Sequence, residues 1–218
     1  MNKYSVAISV MNRSDRIIRC ISSWLEWKNC QEVVLVDWSS EVRVDEFLAD
    51  NKFENKKLKI IRRDCKKYFS LAKSFNLAVK HCASDIIIKA DIDYVLKDES
   101  MLDDIIKQMQ EPSSNLRPQF AKSVKSNHHN GFCIFKKKDF LKVRGYNEAF
   151  EGWGNDDNDL YSRLEKSGVD GMSIFNAKDF IFHIPHGYNL SVANYKCKDK
   201  AESRAKNLNI ERKQANEN

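Results

Sequence analysis

The sequence lacks long apolar runs and has little proline or glycine. It holds 3 prolines and 7 glycines in 218 residues, and charged residues make up 31%, which excludes a collagen-like or low-complexity chain. No segment approaches the roughly 18 apolar residues needed to cross a bilayer. The first 15 residues also lack the uninterrupted apolar stretch of a signal peptide. We therefore expect a cytoplasmic protein, with peripheral contact at the inner face of a membrane left open.

Paired cysteines are missing as well. The six cysteines show no spacing typical of a zinc site. Several lie in apolar runs, as Cys133 does between Phe132 and Ile134. This placement favours buried free thiols in a reducing compartment.

The charge pattern gives little direct evidence of a partner. The formal charge is +6, but the basic residues are spread along the chain and interleaved with acids, as on a solvated surface. Contact with a diphosphate, an anionic glycan or a membrane surface is the alternative. The basic residues form no stripe interleaved with aromatics, so nucleic-acid binding has no support.

What the sequence does contain is a regular alternation of apolar segments. Strands are predicted at residues 4–10, 32–36, 58–61 and 84–90, and helices at 17–25, 70–81 and 101–109. The segment EVVLV is apolar at successive positions, which is typical of a strand covered on both faces. The pattern predicts an α/β fold with an open, mostly parallel sheet flanked by helices. Such sheets bind ligands beyond the carboxyl ends of their strands, where Asp37, Asp91 and Asp93 lie.

The second half is less regular. A loop is expected at 111–117, a strand at 132–135, a helix at 138–143, a turn at Gly145, a helix at 160–166 and a last strand at 180–182. Beyond Tyr195 the chain is highly charged and poor in large apolar residues. We expect a charged C-terminal tail there, helical at most in part.

Two acids separated by one residue, Asp91 and Asp93, follow the fourth predicted strand. The backbone turns at a strand end, so both carboxylates can face the same crevice. Hard divalent cations prefer oxygen ligands, and a leaving diphosphate needs its charge neutralised. The alternative is that both aspartates only cap the following turn.

A second cluster of acids lies in the segment GWGNDDNDL, residues 152–160. Acids are favoured at the start of a helix by its dipole, so ordinary capping is one interpretation. Three aspartates in four positions behind two glycines exceed what capping requires, and Trp153 offers a flat face for a sugar ring. One of these carboxylates next to an acceptor hydroxyl would be a general base.

Two pairs of histidines occur late in the chain. His183 and His186 follow the last predicted strand, and a neutral imidazole there can bind a metal. The alternative is one packed and one exposed histidine. His128 and His129 lie in a polar stretch and are expected to be loop residues.

The order of these features resembles the nucleotide-sugar glycosyltransferases of the GT-A fold, in particular the family 2 enzymes and the β-1,4-galactosyltransferase group. The resemblance runs from about residue 4 to about residue 188. It is carried by VAISVMNRSD (6–15), VVLVDWSS (33–40), LAKSFN (71–76), the DxD motif DID (91–93) and GYNEAFEGWGNDDNDL (145–160).

The resemblance implies a role for each matching residue. Asp93, His186 and, as a further ligand, His183 would bind the metal, and Asp157 would be the catalytic base. The residues implied to contact the donor or the acceptor are Asn12, Arg13, Asp37, Lys73, Asn76, Asp91, Trp153, Gly154 and Asp156. His183 stands where the galactosyltransferases have Met, and Asp156 where Glu is usual.

The implied domain organisation is a GT-A domain at 1–195, with a nucleotide-binding half at about 1–97 and an acceptor half at about 98–195, followed by the tail at 196–218. The implied reaction is inverting transfer of galactose or an N-acetylhexosamine from a UDP-sugar. It uses Mn²⁺ or Mg²⁺. Its acceptor is a glycan, either free or lipid-linked, and the pathway is surface polysaccharide synthesis.

Two other functions stay open. One is a non-catalytic domain that binds nucleotide-sugars or glycans. The other is a phosphatase-like hydrolase that uses Asp91 and Asp93, although in those enzymes the nucleophile's strand generally opens the domain, whereas three strands are expected to precede it here.

Overall fold

The computed structural model describes residues 3–64, 67–111, 117–124 and 128–216, of which 215 and 216 are described by their backbone alone. A seven-stranded sheet forms its centre, in the order β3-β2-β1-β4-β7-β6-β8. Its strands are β1 (Tyr4–Val10), β2 (Cys30–Asp37), β3 (Leu58–Arg62), β4 (Ile86–Lys89), β6 (Gln119–Ser123), β7 (Cys133–Lys136) and β8 (Asp170–Ile174). Strands β1 to β4 run parallel, β6 and β8 are parallel to each other, and β7 is antiparallel to both of its neighbours. The predicted α/β fold with a mostly parallel sheet is confirmed.

Helices cover both faces of the sheet. They are α1 (Ser14–Leu25), α2 (Val44–Asp50), α3 (Leu71–His81), α4 (Glu99–Gln110), α5 (Lys137–Lys142), α6 (Asp156–Lys166), α7 (Ala177–Phe180), α8 (Tyr188–Val192) and α9 (Lys200–Asn216). Alternate residues of β2 enter two different apolar clusters: Val33 and Leu35 pack on the side of α1 and α4, and Val34 and Val36 on the side of α3 and α6. Because both faces are buried, the strand is apolar at four successive positions, 33–36.

A second, two-stranded sheet pairs β5 (Tyr94–Leu96) with β9 (Ile181–His183). The strands are antiparallel, and Tyr94 lies opposite His183. The backbone N–H of Ile184 then donates to the carbonyl of Asp93 at 2.8 Å. Through this short ladder, residues some 90 positions apart in the sequence become neighbours.

The C-terminal segment differs from the expectation of a charged tail. Residues Lys200–Asn216 form the continuous helix α9, which packs against the turn before α6. The helix has no apolar stripe, because polar side chains make hydrogen bonds to the rest of the protein. The sequence pattern therefore concealed it.

The cysteines, the predicted loop at 111–117 and the lengths of the helices were also considered in the sequence. Cys20, Cys30, Cys82 and Cys133 are buried free thiols as predicted, whereas Cys197 is free and half-buried; Cys65 lies outside the described residues. Most of the loop expected at 111–117 also lies outside them. No helix among the described residues is long and apolar enough to cross a membrane.

Candidate active site

A cavity of about 870 Å³ opens at the carboxyl ends of β1 and β4. Its walls include the end of β1, the segment 91–94, the turn 153–158, the segment 183–195 and the start of α9. Of the residues predicted for function, it brings together Arg13, Asp91, Asp93, Trp153, Gly154, Asp156, Asp157, His183 and His186. This agrees with the position of ligand sites on open parallel sheets.

Asp93 is flanked by two histidines at the wall of the cavity. The Nε2 atom of His186 lies 2.9 Å from Asp93 Oδ2, and that of His183 lies 3.5 Å from the same oxygen. The β5–β9 pairing positions His183, and the chain that follows it returns His186 to the same carboxylate. Burial alone would raise the pKa of Asp93, but the hydrogen bonds from His183 and His186 outweigh burial and lower it. The hydrogen bond to Asp93 in turn raises the pKa of His186.

These three residues fit a divalent metal ion. One carboxylate oxygen and two imidazole nitrogens lie within 4.8 Å of one another, close enough to share one ion. The set combines a hard oxygen donor with two imidazole nitrogens, and both kinds of ligand bind divalent metal ions in proteins. All three side chains are partly or largely withdrawn from solvent.

The histidines at 128 and 129 contribute to the same corner, which the sequence did not reveal. The ring of His128 stacks on His183, with centroids 5.0 Å apart. His129 is buried, and its Nε2 lies 3.2 Å from the carbonyl of Ile181. Burial lowers the pKa of His129. Both therefore support the orientation of His183, although each is a loop residue as expected.

A fully buried lysine, Lys89, lies beneath the acids. Its Nζ donates to Asp91 Oδ1 at 2.9 Å and lies 3.6 Å from Asp157 Oδ1. Burial opposes the positive charge, but the carboxylates of Asp157 and Asp91 outweigh burial and raise the pKa of Lys89. A glycine, Gly131, permits this packing, since a Cβ there would lie 2.6 Å from Asp91 Oδ2 and 2.7 Å from Lys89 Nζ. The sequence signal was a lysine at the end of an otherwise apolar strand.

Asp157 is held from one side only. The hydroxyl of Tyr146 donates to Asp157 Oδ1 at 2.8 Å, and Lys89 faces the same oxygen. Among the described residues, no hydrogen bond or ion pair reaches Oδ2 of Asp157. The neighbouring Asp156 is buried, and burial, with the charge of Asp157 second, raises the pKa of Asp156 to about 7.

The turn before α6 has a backbone that requires special residues. Gly152, Gly154 and Asn155 all have positive φ, at 81°, 96° and 71°, a region that glycine and asparagine tolerate best. Asn155 also donates through Nδ2 to Glu211 Oε2 at 2.7 Å. The glycines predicted for close approach of a ligand therefore also determine the path of the turn.

Helix α9 holds this turn through polar side chains. Ser203 Oγ accepts from the N–H of Trp153 at 2.7 Å and donates to the carbonyl of Glu151 at 3.2 Å. Asn207 accepts from the N–H of Glu151 at 3.1 Å and donates to the carbonyl of Gly154 at 2.8 Å. Both side chains are almost completely buried. The helix expected as a tail thus fixes the backbone next to Asp156 and Asp157.

Four residues that were predicted to contact the donor do not line this cavity. The carboxylate of Asp37 is fully buried and bound by Arg62 and by the N–H groups of Ser40 and Val44. Asn12 accepts from the N–H of Glu41 at 2.8 Å. Neither of these two side chains lines the 870 Å³ cavity. Each stabilises a loop at the sheet edge.

Lys73 and Asn76 line a second cavity, of about 620 Å³, beside α3. Asn76 connects α3 to the turn that carries Tyr146: its Oδ1 accepts from the N–H of Tyr146 at 2.8 Å, and its Nδ2 donates to the carbonyl of Tyr146 at 2.9 Å. Lys73 and Asn76 therefore line a different cavity from Asp93, and their contact with the donor stays a prediction. Asn76 positions the turn that carries the partner of Asp157.

Comparison by sequence finds one family that matches part of the chain. A family described as the N-terminal domain of galactosyltransferase matches residues 114–187, which include Asp156, Asp157, His183 and His186. Among curated proteins, no sequence matches.

Comparison by structure identifies the fold. A mannosyltransferase from Pyrobaculum calidifontis, solved with GDP-Man and Mn²⁺, superimposes with a TM-score of 0.65 at 16% identity, over 80% of this chain and 55% of that one. Staphylococcus aureus TarS 1–349 with UDP-GlcNAc gives 0.61 at 13% identity, over 92% and 69%. The catalytic domain of Drosophila β-1,4-galactosyltransferase 7 with xylobiose gives 0.57 at 16% identity, over 93% and 79%. This chain has the GT-A fold, and it spans about half of the mannosyltransferase chain.

Proposed function

We propose that this chain is a metal-dependent, inverting glycosyltransferase that moves a sugar from a UDP-sugar to a carbohydrate acceptor. The observation that carries the proposal is the cluster of Asp93, His183 and His186 at the wall of the cavity that Asp157 also lines. It is supported by the related proteins, since the mannosyltransferase was solved with GDP-Man and Mn²⁺ and TarS with UDP-GlcNAc.

In this proposal Asp93, His183 and His186 hold the ion. A divalent cation bound there supplies neutralising charge for the diphosphate that leaves the donor. Arg13 lines the same cavity and places a further cation there, while its guanidinium donates to the carbonyl of Leu190. Asp91, held by Lys89, and the pair Trp153 and Gly154 bound the space for the donor sugar.

Asp157 acts as the general base. Its Oδ1 is held by Tyr146 and Lys89, so Oδ2 is the oxygen that faces an acceptor hydroxyl. The carboxylate takes the hydroxyl proton as the acceptor oxygen bonds to the anomeric carbon. The bond from that carbon to the diphosphate breaks on the opposite face, which inverts the configuration. Asp156 lies beside it as a partner for another acceptor hydroxyl.

The proposal extends to the biological setting. The donor sugar is galactose or an N-acetylhexosamine. The acceptor is a glycan of surface polysaccharide synthesis, and it is lipid-linked if the protein works at the membrane. The free thiols support a reducing compartment such as the cytoplasm, with peripheral contact at the inner face of the membrane.

A thermal-shift panel of UDP-, GDP- and dTDP-sugars, with and without Mn²⁺, tests donor and metal together. We expect UDP-sugars to raise Tm only when Mn²⁺ is present. Turnover is then measured as UDP release with and without a glycan acceptor. An absence of any nucleotide-sugar binding in Mn²⁺ would reject the proposal.

Two further outcomes identify the other functions. Donor binding with slow UDP release that no acceptor accelerates indicates a non-catalytic binding domain. Release of phosphate from p-nitrophenyl phosphate, lost in Asp91→Asn, indicates the hydrolase.

A further inference from the structure

Helix α9 places two cations at the rim of the active-site cavity. Lys200 and Arg204 both line it, and their spacing of four residues places them on one side of the helix. Neither has a carboxylate within ion-pair distance among the residues that the structure describes. Two further lysines of the cavity, Lys89 and Lys122, are by contrast paired with Asp91 and Glu165.

Aromatic rings hold one of these cations. The Nζ of Lys200 lies 4.6 Å from the ring centroid of Trp153 and 4.8 Å from that of Tyr188. Both rings are substantially exposed, at 36% and 54% of their surface. Cation–π contacts fix the ammonium without neutralising it. Burial lowers the pKa of Lys200, as expected for a cation that has lost water and gained no anion.

The other cation is placed by close packing. The aliphatic part of Arg204 lies next to Gly154, where a Cβ would meet Arg204 Cβ at 3.4 Å and Cγ at 3.5 Å. No partner for its guanidinium is found in the described part of the chain. A guanidinium fork in that position matches a carboxylate or phosphate group.

Both cations contact the turn that precedes Asp156 and Asp157 through Trp153 and Gly154. They therefore belong to the side of the cavity where the acceptor hydroxyl must meet Asp157. The diphosphate of the donor has a different set of partners, namely the ion held at Asp93 and the side chain of Arg13. An anion next to Lys200 and Arg204 is thus more readily supplied by the acceptor than by the donor.

We propose that Lys200 and Arg204 bind an anionic group of the acceptor, either a carboxylate on a sugar ring or a phosphate, so that the acceptor is a charged saccharide. The inference rests on the proposed glycosyltransferase function. Trp153 and Tyr188 then provide the apolar surface against which the acceptor sugar packs. The carboxyl-terminal helix, in this view, selects the acceptor as well as supporting the catalytic turn.

The test compares ligands that carry an anionic group with neutral counterparts of the same sugar type. One pair is p-nitrophenyl β-D-glucuronide with p-nitrophenyl β-D-glucoside, for a carboxylate; the other is glucose 1-phosphate with methyl glucoside, for a phosphate. Affinities are measured by calorimetry on the full chain, with and without UDP and Mn²⁺. We expect at least one charged ligand to bind about tenfold more tightly than its neutral partner, as one charge-assisted contact provides, and added NaCl to reduce this preference.

Variants locate the effect. In Lys200→Gln/Arg204→Gln the preference for the charged ligand should disappear, and Lys200→Arg/Arg204→Lys should retain most of it. The matched control is Lys206→Gln/Arg212→Gln, which removes the same charge from exposed positions of α9 and should leave the preference unchanged.

Two results would overturn the inference: equal affinity for charged and neutral ligands in both pairs, or a charge preference that survives in Lys200→Gln/Arg204→Gln. Failure of the proposed function gives a separate result. In that case neither UDP nor a UDP-sugar binds the wild-type chain with Mn²⁺, whatever the glycosides do.

Discussion

At the scale of single residues, the cavity floor depends on one buried lysine. Lys89 is fully buried, yet it is surrounded by Asp91 and Asp157, and the hydroxyl of Tyr146 adds a donor to Asp157. The two carboxylates in turn raise the pKa of Lys89 and hold its charge in a buried position. Substituting Lys89 with an apolar residue would leave these buried acids without their cation, which is costly.

Asp157→Asn should reduce sugar transfer by about 10²- to 10⁴-fold, the usual contribution of a general base. The amide keeps the shape and can still accept from Tyr146, but it cannot take the acceptor proton. Because Asp157 is not part of the Asp93 cluster, UDP affinity in Mn²⁺ should stay within about twofold of wild type. The measurements are initial rates and a UDP titration.

The control for that substitution is Asp104→Asn, at an exposed position on α4, which should keep full activity. Wild-type turnover in Asp157→Asn would show that another residue is the base.

Asp156 provides a pH-dependent stability effect. Its pKa of about 7 in the folded chain lies above the ordinary value of 3.8, so the folded state binds the proton more tightly than the unfolded state does. The stability from this group is complete below about pH 4 and is lost as pH rises through 7. Asp156→Asn removes this loss, so the variant should exceed wild type in unfolding free energy at pH 8 by roughly 1–4 kcal/mol.

Urea unfolding of wild type and Asp156→Asn at pH 4.5 and pH 8 measures this effect. The difference between the two proteins should be larger at pH 8 than at pH 4.5. A difference that is the same at both pH values would show that Asp156 titrates normally.

At the scale of elements, the short β5–β9 ladder and the polar helix α9 build the site. Strands β5 and β9 have three residues each, yet their pairing brings His183 to Asp93. Helix α9 docks through Ser203, Asn207 and Glu211, which lie on one side at spacings of four. Helix α9 adds no described residue to the apolar clusters, whereas Tyr94, Leu96 and Ile181 of the ladder lie in the buried core. Both pieces position residues of the cavity.

Asn207→Ala tests the role of α9. The substitution leaves the N–H of Glu151 and the carbonyl of Gly154 without their partners, which should destabilise the chain by about 1–3 kcal/mol. Hydrogen exchange of amides 151–155 should become faster, because the turn loses its support. Unfolding curves and exchange measured by mass spectrometry provide the two readouts.

Asn209→Ala is the matched control, since Asn209 is exposed on the same helix; exchange at 151–155 should not change. If amides 151–155 exchange equally fast in Asn207→Ala and in Asn209→Ala, α9 does not hold the turn.

The elements differ in how well the sequence predicts them. Strands β1, β2 and β4 carry apolar residues on both faces because both faces are covered, and they were predicted closely. Strands β6 (QFAKS) and β8 (DGMSI) mix polar and apolar residues and were missed. Helix α9 was missed for a related reason, as polar docking produces no hydrophobic periodicity.

The candidate site shows the same division. The acids and histidines at 93, 156, 157, 183 and 186 were predicted from motif positions, and the structure gathers them in one cavity. Lys200 and Arg204 belong to no motif, and Tyr146 lies in the 145–160 motif without a predicted role. Their positions depend on how α9 and the turn at Gly145 pack. Asp37 and Asn76 had matching motifs but are used for loop and helix contacts. Motif order predicts residue types at a site, whereas tertiary packing decides which of them line it.

At the scale of the whole molecule, the cavity lies where the two halves of the chain meet. Asp93 comes from the first half and His183 and His186 from the second, joined by the β5–β9 ladder. An ion held by all three therefore connects segments that are distant in sequence. Such an ion binds the folded chain much better than the unfolded chain, so it should stabilise the entire fold.

Mn²⁺ should accordingly raise the Tm of the wild-type chain. At a concentration of about 100 times Kd the gain is about 2.7 kcal/mol, which for a chain of this size corresponds to roughly 5–10 °C. His186→Ala removes one of the three ligands and should lose most of the shift. His81→Ala, at an exposed position on α3, should keep it. Differential scanning calorimetry with Mn²⁺ and with EDTA provides the measurement. If Mn²⁺ raises the Tm of His186→Ala and of His81→Ala equally, the ion binds elsewhere and does not connect the two halves of the chain.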